Sequence, residues 1–144
     1  MTRPKEKTMR TLTIAVLLGT LLGCGGSDRG AVEGTVTLDG KPIETGAVTF
    51  RPSGDTKGAT AGTEIKNGRY SISAAAGPMV GTNRVEISAW KSTGRMVPAA
   101  LGDPNAGMKP EVVEAVAPRF NVESELTVEI RPGKNTYDFE AMGR

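Results

Sequence analysis

Apolar and polar positions alternate along the chain from Ala31 onward, and a period of two is typical of half-buried β-strands. In the first stretch Val32, Val36 and Leu38 lie on one face, and threonine and glutamate lie on the other. The same alternation recurs in three further stretches, at residues 47–52, 82–89 and 126–130. Each stretch is therefore predicted to be a strand with one buried face.

Two turn signals define the remaining strands. Asn67-Gly68 fits a two-residue type I′ turn, which requires positive φ at both central positions. Pro132-Gly133 leads into a last strand that carries Tyr137 and Phe139 on one face. The first turn would pair Lys66 with Arg69, Ile65 with Tyr70, and Thr63 with Ile72. Together these elements make seven short strands.

A long segment, residues 91–124, separates the fifth and sixth predicted strands and contains Pro98, Pro104, Pro110 and Pro118. Connections of this length are uncommon in compact domains, so we expect the segment to be functional or locally ordered. Pro110 and Glu111, followed by Val112, Val113 and Val116 at helical spacing, allow a short helix that ends before Pro118. The predicted fold is all-β, an antiparallel seven-stranded β-sandwich with a long proline-containing loop.

The amino terminus differs in composition from the rest of the chain. Residues 1–10 carry four basic side chains and one acidic one, and residues 11–23 are uncharged and mostly apolar. This order is typical of a secretory signal peptide, and the apolar part is well below the roughly 20 residues that span a bilayer as a helix. We predict a signal-peptide helix over 1–23, a glycine-rich tether over 24–30 and one domain over 31–144.

Leu21-Leu22-Gly23-Cys24 resembles the lipobox of bacterial lipoproteins. In that motif the cysteine is thioether-linked to diacylglycerol, and cleavage on its amino side, here between Gly23 and Cys24, makes it the first residue. The thiol supplies a sulfur nucleophile, and the small Gly23 leaves the scissile bond accessible. Two or three acyl chains then hold a protein stably on a bilayer. The alternative is an inert cysteine in an ordinary signal peptide with cleavage elsewhere.

Composition removes several classes of chemistry. The chain has no histidine and one cysteine, which excludes Ser/His/Asp and Cys/His triads and an intrachain disulfide. We predict no cofactor, no metal site and no catalytic residue. Residues 1–23 hold four of the 18 Lys and Arg and one of the 16 Asp and Glu, so the remainder carries 14 basic and 15 acidic residues. A net charge near −1 gives no electrostatic basis for binding nucleic acid.

Two short motifs have structural interpretations. Ser88 and Lys91 fit the S-x-x-K spacing of penicillin-recognising enzymes, but that motif works on a helix, whereas a strand sends the two side chains to opposite faces. The stretch from Asp103 to Gly107 has the start of a calcium loop without its closing carboxylate. A proline-stabilised turn is the favoured interpretation there.

Trp90 is the single tryptophan and follows the strand 82–89 on the face opposite Val85 and Ile87. An exposed indole at this position would stack on a sugar or hold a partner protein. The favoured alternative is that Trp90 packs beneath the segment 91–124, because burial of a large aromatic ring is favourable. Trp90 is therefore the one candidate ligand-contact residue of the domain.

The sequence resembles a known family in most of its predicted domain. Residues 32–43 (VEGTVTLDGKPI) and 46–50 (GAVTF) resemble the opening of carboxypeptidase regulatory-like domains, which form a transthyretin-like sandwich related in architecture to immunoglobulin domains. Residues 67–70 (NGRY), 117–121 (APRFN), 124–128 (SELTV) and 132–135 (PGKN) are similar to those of small lipoproteins of planctomycete bacteria. The resemblance implies a transthyretin-like fold and an envelope location, and it supplies no catalytic residue.

These expectations combine into one functional hypothesis and one alternative. The hypothesis is a non-enzymatic envelope lipoprotein, held to the bilayer through acylated Cys24, whose domain has a binding or structural role with an envelope partner. The alternative is a surface module that uses Trp90 to bind carbohydrate or peptidoglycan. Gly25, rather than Asp, follows the cysteine, which favours the outer membrane under the sorting rule of well-studied Gram-negative bacteria.

Overall fold

The computed structural model describes residues 28–144, and these form ten β-strands and a single 3-10 turn at Pro118–Phe120. The all-β class is confirmed, and the strand count is ten rather than seven. The strands are β1 (Gly30–Leu38), β2 (Lys41–Pro42), β3 (Thr45–Pro52), β4 (Ala61–Lys66), β5 (Arg69–Ile72), β6 (Gly81–Pro98), β7 (Met108–Glu114), β8 (Thr127–Ile130), β9 (Gly133–Thr136) and β10 (Phe139–Ala141).

The strands form one strongly curled sheet in the order β10-β1-β5-β4-β3-β6-β7. β8 pairs with β6 and β9 pairs with β1, so the short connection between β8 and β9 joins opposite sides of the curl. Most pairs are antiparallel, as predicted, but β1 pairs in parallel with both β9 and β10. The curl encloses the core between its two sides.

The alternating faces predicted from the sequence are the ones that enter the core. Val48 and Phe50 on β3 and Val85 and Ile87 on β6 are fully buried, and so are Val32 and Val36 on β1. Phe50 lies near the rings of Tyr70 and Phe139, with centroids 6.0 and 6.4 Å away. Four of the six aromatic residues thus form one cluster in the core: Phe50, Tyr70, Tyr137 and Phe139.

The turn at Asn67-Gly68 is confirmed, with φ of 50° and 73° at its two central residues. Lys66 pairs with Arg69 as predicted, but the pairs Ile65 with Tyr70 and Thr63 with Ile72 do not form. Beyond the turn the two strands separate, because β4 pairs with β3 and β5 pairs with β1. β4 forms six pairs with β3 and β5 forms four pairs with β1, and these neighbours lie on opposite sides of the curl.

The segment 91–124 is the largest departure from expectation. β6 continues to Pro98, and residues 108–114 return beside it as β7, pairing Trp90 with Glu114 and Pro98 with Met108. The predicted short helix near Pro110 is therefore wrong, and so is the interpretation of the whole segment as a loop. We call residues 90–114 the β6–β7 arm. Its valines are β-branched and fit a strand, and their helical spacing was coincidental.

The described chain joins the sheet slightly earlier than predicted. The backbone N–H of Val80 donates to the carbonyl of Asp28 at 2.8 Å, and Arg29 forms an isolated bridge with Met79. β1 itself begins at Gly30. The last three residues of the predicted tether are thus held by backbone contacts to the segment before β6.

Candidate functional site

A polar cleft of about 860 Å³ opens where β4 and β5 separate after their shared turn. Six of the residues that line it lie on these two strands and five on β1 or near β9 and β10. The lining residues are Glu33, Gly34, Thr35, Thr63, Glu64, Lys66, Arg69, Tyr70, Ser71, Thr136 and Asp138. The cleft exists because β4 and β5 form only one residue pair, Lys66 with Arg69, next to their turn. Beyond that pair, β4 follows β3 and β5 follows β1, and the two strands move apart.

Most charges in the polar cleft are already paired within the protein. Lys66 contacts Glu64 at 2.8 Å, and the Glu33 carboxylate contacts a lysine of β9 at 2.7 Å. One carboxylate oxygen of Asp138 accepts hydrogen bonds from both the backbone N–H and the hydroxyl of Thr35, each at 2.7 Å. These bonds hold the pKa of Asp138 below its usual value. The cleft thus presents satisfied polar groups.

Tyr70 is the buried titratable group at the floor of this cleft. Its hydroxyl donates to the carbonyl of Tyr137 at 2.8 Å. Burial raises the pKa of Tyr70 strongly, and the nearby Asp138 carboxylate adds to the effect. Tyr70 therefore stays protonated at neutral pH and acts as a hydrogen-bond donor. It offers no base or nucleophile to a bound molecule.

A second cleft, of about 540 Å³, lies at the base of the β6–β7 arm beside Trp90. Trp90 is 47% exposed, so the favoured interpretation that it packs beneath the segment 91–124 is wrong. The segment is a strand partner of β6 and lies beside Trp90 instead of over it. Polar side chains of Asp39, Lys41 and Glu44 share this cleft with the indole.

Glu114 fixes the base of the arm, and its role was missed from the sequence. One carboxylate oxygen accepts the backbone N–H groups of Ala89 and Val116, both at 3.0 Å. The other accepts from the side-chain amide of Asn121 at 2.9 Å, and the same amide donates to the hydroxyl of Ser88 at 2.9 Å. The helix predicted from Pro110 to before Pro118 would contain Glu114, and these partners have no counterpart in a helix. Glu114 thus ties β6 to the segment that follows β7.

The β6–β7 arm has two unlike faces. β7 is regular and carries Glu114, Val112, Pro110 and Met108 on one side. Their cross-strand partners on β6 share that side, across a register shift between Ser92 and Met96, and these partners are Trp90, Ser92, Met96 and Pro98. We call this side the apolar face. The exposed fractions of its large side chains are 47% for Trp90, 55% for Met96, 58% for Met108 and 56% for Val112.

The opposite side, which we call the polar face, carries the charges of the arm. Lys91 pairs with Val113, and the pair Val97 with Lys109 follows toward the tip. The hydroxyl of Thr93 donates to the Glu111 carboxylate at 2.6 Å. The arm is thus an amphipathic two-stranded ribbon, an arrangement that alternation within a single strand does not reveal.

The two short motifs behave as the structural interpretations predicted. Ser88 lies on β6 with its hydroxyl held by Asn121, and Lys91 lies on the polar face of the arm. Asp103 accepts the backbone N–H of Asn105 at 2.8 Å in an exposed turn at the tip of the arm. Between residues 28 and 144 there is no group of three or more His, Cys, Asp or Glu residues arranged to hold a metal ion.

Gly23 and Cys24, the predicted cleavage and lipidation residues, lie outside the described residues, as does the predicted signal-peptide helix. Within residues 28–144 no helix is long and apolar enough to span a bilayer. The sequence matches no protein-family model, and a search of curated proteins finds no significant match. The resemblance to carboxypeptidase regulatory-like domains and planctomycete lipoproteins stays a prediction.

Proposed function

We propose that the chain is a lipid-anchored lipoprotein of the bacterial cell envelope whose domain is a non-enzymatic binding module. The observation that carries the binding role is the apolar face of the β6–β7 arm, where four large side chains stand about half exposed on one side of a ribbon. Contiguous apolar surface of this kind marks an interaction site. The Glu114 carboxylate fixes the base of the arm through hydrogen bonds from the backbone N–H groups of Ala89 and Val116.

The anchoring part of the proposal rests on Cys24 and on the distance to the domain. Three residues separate Cys24 from Asp28, where backbone contacts to the sheet begin, and the four steps from one Cα to the next span at most about 14 Å. Acylated Cys24 would therefore hold the domain directly at the bilayer surface. Gly25 after the cysteine supports delivery to the outer membrane.

The finer fold type also belongs to this proposal. A transthyretin-like sandwich is supported by the two sides of the curl, by the core between them and by the motifs at residues 32–43 and 46–50. A fold of this type hosts many roles, so the site and not the fold carries the argument for binding.

Metabolic labelling with a fatty acid tests the anchor. The full chain should incorporate label, Cys24→Ala should lose it and accumulate uncleaved precursor, and Ser27→Ala should behave as the parent chain. Label retained by Cys24→Ala would overturn the anchor. Membrane fractionation of the labelled parent chain should recover it with the outer membrane, and recovery with the inner membrane would contradict that location.

The second cleft supports one alternative, a carbohydrate- or peptidoglycan-binding module. A half-exposed indole beside carboxylate and ammonium groups is an arrangement that stacks on and hydrogen-bonds to a sugar. Purified peptidoglycan sacculi sedimented with the full chain distinguish the two functions. Under this alternative the parent chain co-sediments, Trp90→Ala does not, and Trp90→Phe keeps part of the binding.

A further inference from the structure

In the part of the chain that the structure describes, the β6–β7 arm is attached at its base and has no strand neighbour outside itself. β3 leaves β6 at the pair Gly46 with Ala89, so from Trp90 to Pro98 the only strand partner of β6 within residues 28–144 is β7. Isolated two-stranded ribbons are marginally stable in water unless one face is covered. Contact of the apolar face with another surface would therefore stabilise the arm.

The area of the apolar face matches what a pair of copies would need. A fully buried aromatic side chain contributes about 150–250 Å² of buried surface. A large side chain that is about half exposed therefore still offers roughly 100 Å² to a partner. Ser92, Pro98 and Pro110 lie on the same face, are also exposed, and add to the area of the four large side chains. Two arms in contact would bury roughly 1,000–1,200 Å² in total, the lower limit of specific stable interfaces.

The charges of the arm do not oppose contact with the same face of a second copy. Lys91, Lys109 and Glu111 lie on the polar face and would remain in water. The one carboxylate on the apolar face, that of Glu114, is occupied by the bonds to Ala89, Val116 and Asn121. Two apolar faces therefore meet across a two-fold axis without opposing like charges, and the same patch serves both copies.

The position of the arm argues against a bilayer as the cover. The described chain begins at Asp28, beside Val80 and the first residue of β6. Pro98, near the tip of the arm, is 17 residues along β6 from Gly81, a distance of about 50 Å at strand spacing. A membrane held through the amino terminus thus lies at the opposite end of β6.

Addition of a single strand to the edge of the arm is also less favourable than covering the face. Pro98 and Pro110 have no backbone N–H, so they cannot donate a hydrogen bond to a carbonyl of an added strand. Met96 and Met108 are flexible side chains that adapt to an opposing surface. The exposed groups of the arm are thus suited to contact across the face.

We propose that the apolar face of the β6–β7 arm binds the same face of a second copy of this chain, forming a two-fold dimer. This proposal names the partner of the binding module and rests on the proposed binding role, although it needs no lipid anchor. In the dimer the four-stranded contact covers Trp90 and Val112, and the polar faces point outward.

Neighbouring valines provide a matched test. Val112 and Val113 are 56% and 47% exposed and lie on opposite faces of the arm. The photo-crosslinking residue p-benzoylphenylalanine is introduced at one or the other position in the full chain, and two differently tagged copies are co-expressed. We expect illumination to give an adduct carrying both tags from Val112, at least tenfold more than from Val113.

Each other outcome overturns the dimer. Equal amounts of adduct from Val112 and Val113 would show random collision of the two copies. An adduct with another protein or with a lipid would show a different partner, and the absence of any adduct would show that the apolar face is uncovered. A charge on the face is the second test: Val112→Arg should abolish the doubly tagged adduct from a crosslinker at Met96, and Val113→Arg should leave it unchanged. Retention of that adduct in Val112→Arg would also refute the proposal.

The same experiment on Cys24→Ser separates this proposal from the anchor. A doubly tagged adduct without fatty-acid label would leave the dimer standing and remove the lipoprotein. Label on the parent chain without an adduct would leave the lipoprotein standing and remove the dimer.

Discussion

Gly68 and Gly40 offer a comparison that separates backbone strain from steric crowding. Their φ angles are nearly equal, at 73° and 77°, in the left-handed region that disfavours a side chain. A Cβ added at Gly68 would lie 2.7 Å from the Cβ of Pro42, whereas a Cβ added at Gly40 has no neighbour within 4 Å. Alanine at either position therefore tests the same backbone strain, and only Gly68→Ala adds a collision.

The expected magnitudes follow from these two contributions. Left-handed strain costs an alanine about 1–2 kcal/mol, and forcing an atom into a packed site costs about 1–3 kcal/mol more. Gly40→Ala should thus lower the free energy of unfolding by about 1–2 kcal/mol, and Gly68→Ala by about 2–5 kcal/mol. Gly68 is also the more constrained glycine, since its N–H donates to the carbonyl of Ile43 at 2.7 Å and its carbonyl accepts from Val36 at 2.8 Å.

Urea unfolding of residues 28–144, followed by circular dichroism, measures both changes. With a dependence on urea of about 1.5 kcal/mol per molar, the midpoint should fall by about 1 M for Gly40→Ala and by about 1.5–3 M for Gly68→Ala. Equal losses in the two variants would refute the packing of the turn against Pro42. No loss in either would refute the type I′ geometry itself.

Three further changes test the core, the arm and the polar cleft. Phe50→Ala should lower the free energy of unfolding by about 3–5 kcal/mol because Phe50 is fully buried, while Val122→Ala, at a residue 70% exposed, should change the urea midpoint little. Glu114→Ala should speed hydrogen exchange of the β7 amides more than that of the β1 amides, and equal protection in the parent and the variant would contradict the role of Glu114 at the base of the arm. The lowered pKa of Asp138 means that its bonds to Thr35 add stability above the pKa of the unfolded chain, and that this stability is lost as pH falls through the lower pKa of the folded state. In Asp138→Asn, the urea midpoint should therefore fall less steeply with decreasing pH in the acid range than it does in the parent chain. An unchanged dependence on pH would count against the contribution of the Thr35 bonds.

Local patterns in the sequence predicted the parts of the fold that depend on neighbouring residues. The alternation around Val48 and Val85 gave the correct buried faces, because strand periodicity is set within one segment. The Asn67-Gly68 turn was correct for the same reason, since its φ angles depend on those two residues. The pairs beyond Lys66 with Arg69 were wrong, because distant strands on opposite sides of the curl, β3 and β1, hold β4 and β5 apart.

The arm and the clefts depended on such distant pairing and were therefore not predictable from the same patterns. The valines near Pro110 have helical spacing, and only their partners on β6, such as Ser92 for Val112, make them a strand. The exposure of Trp90 follows from that pairing, as do the bonds of Glu114. The polar cleft likewise arises from the separation of β4 and β5, which neither strand encodes alone.

The two parallel partners of β1 have a consequence for how the chain reaches its folded state. β1 pairs Val32 with Asn135 and Val36 with Phe139, contacts between residues about a hundred positions apart. A chain that emerges amino terminus first therefore leaves β1 without these two partners until residues 133–141 are free. Loop closure of this length makes folding slow, and the exposed strand edges need protection during the delay. Deletion of residues 133–144 removes both parallel partners of β1, so light scattering should show more aggregation during refolding of this variant than of the parent chain. Removal of twelve residues from the tip of the arm should leave the scattering unchanged.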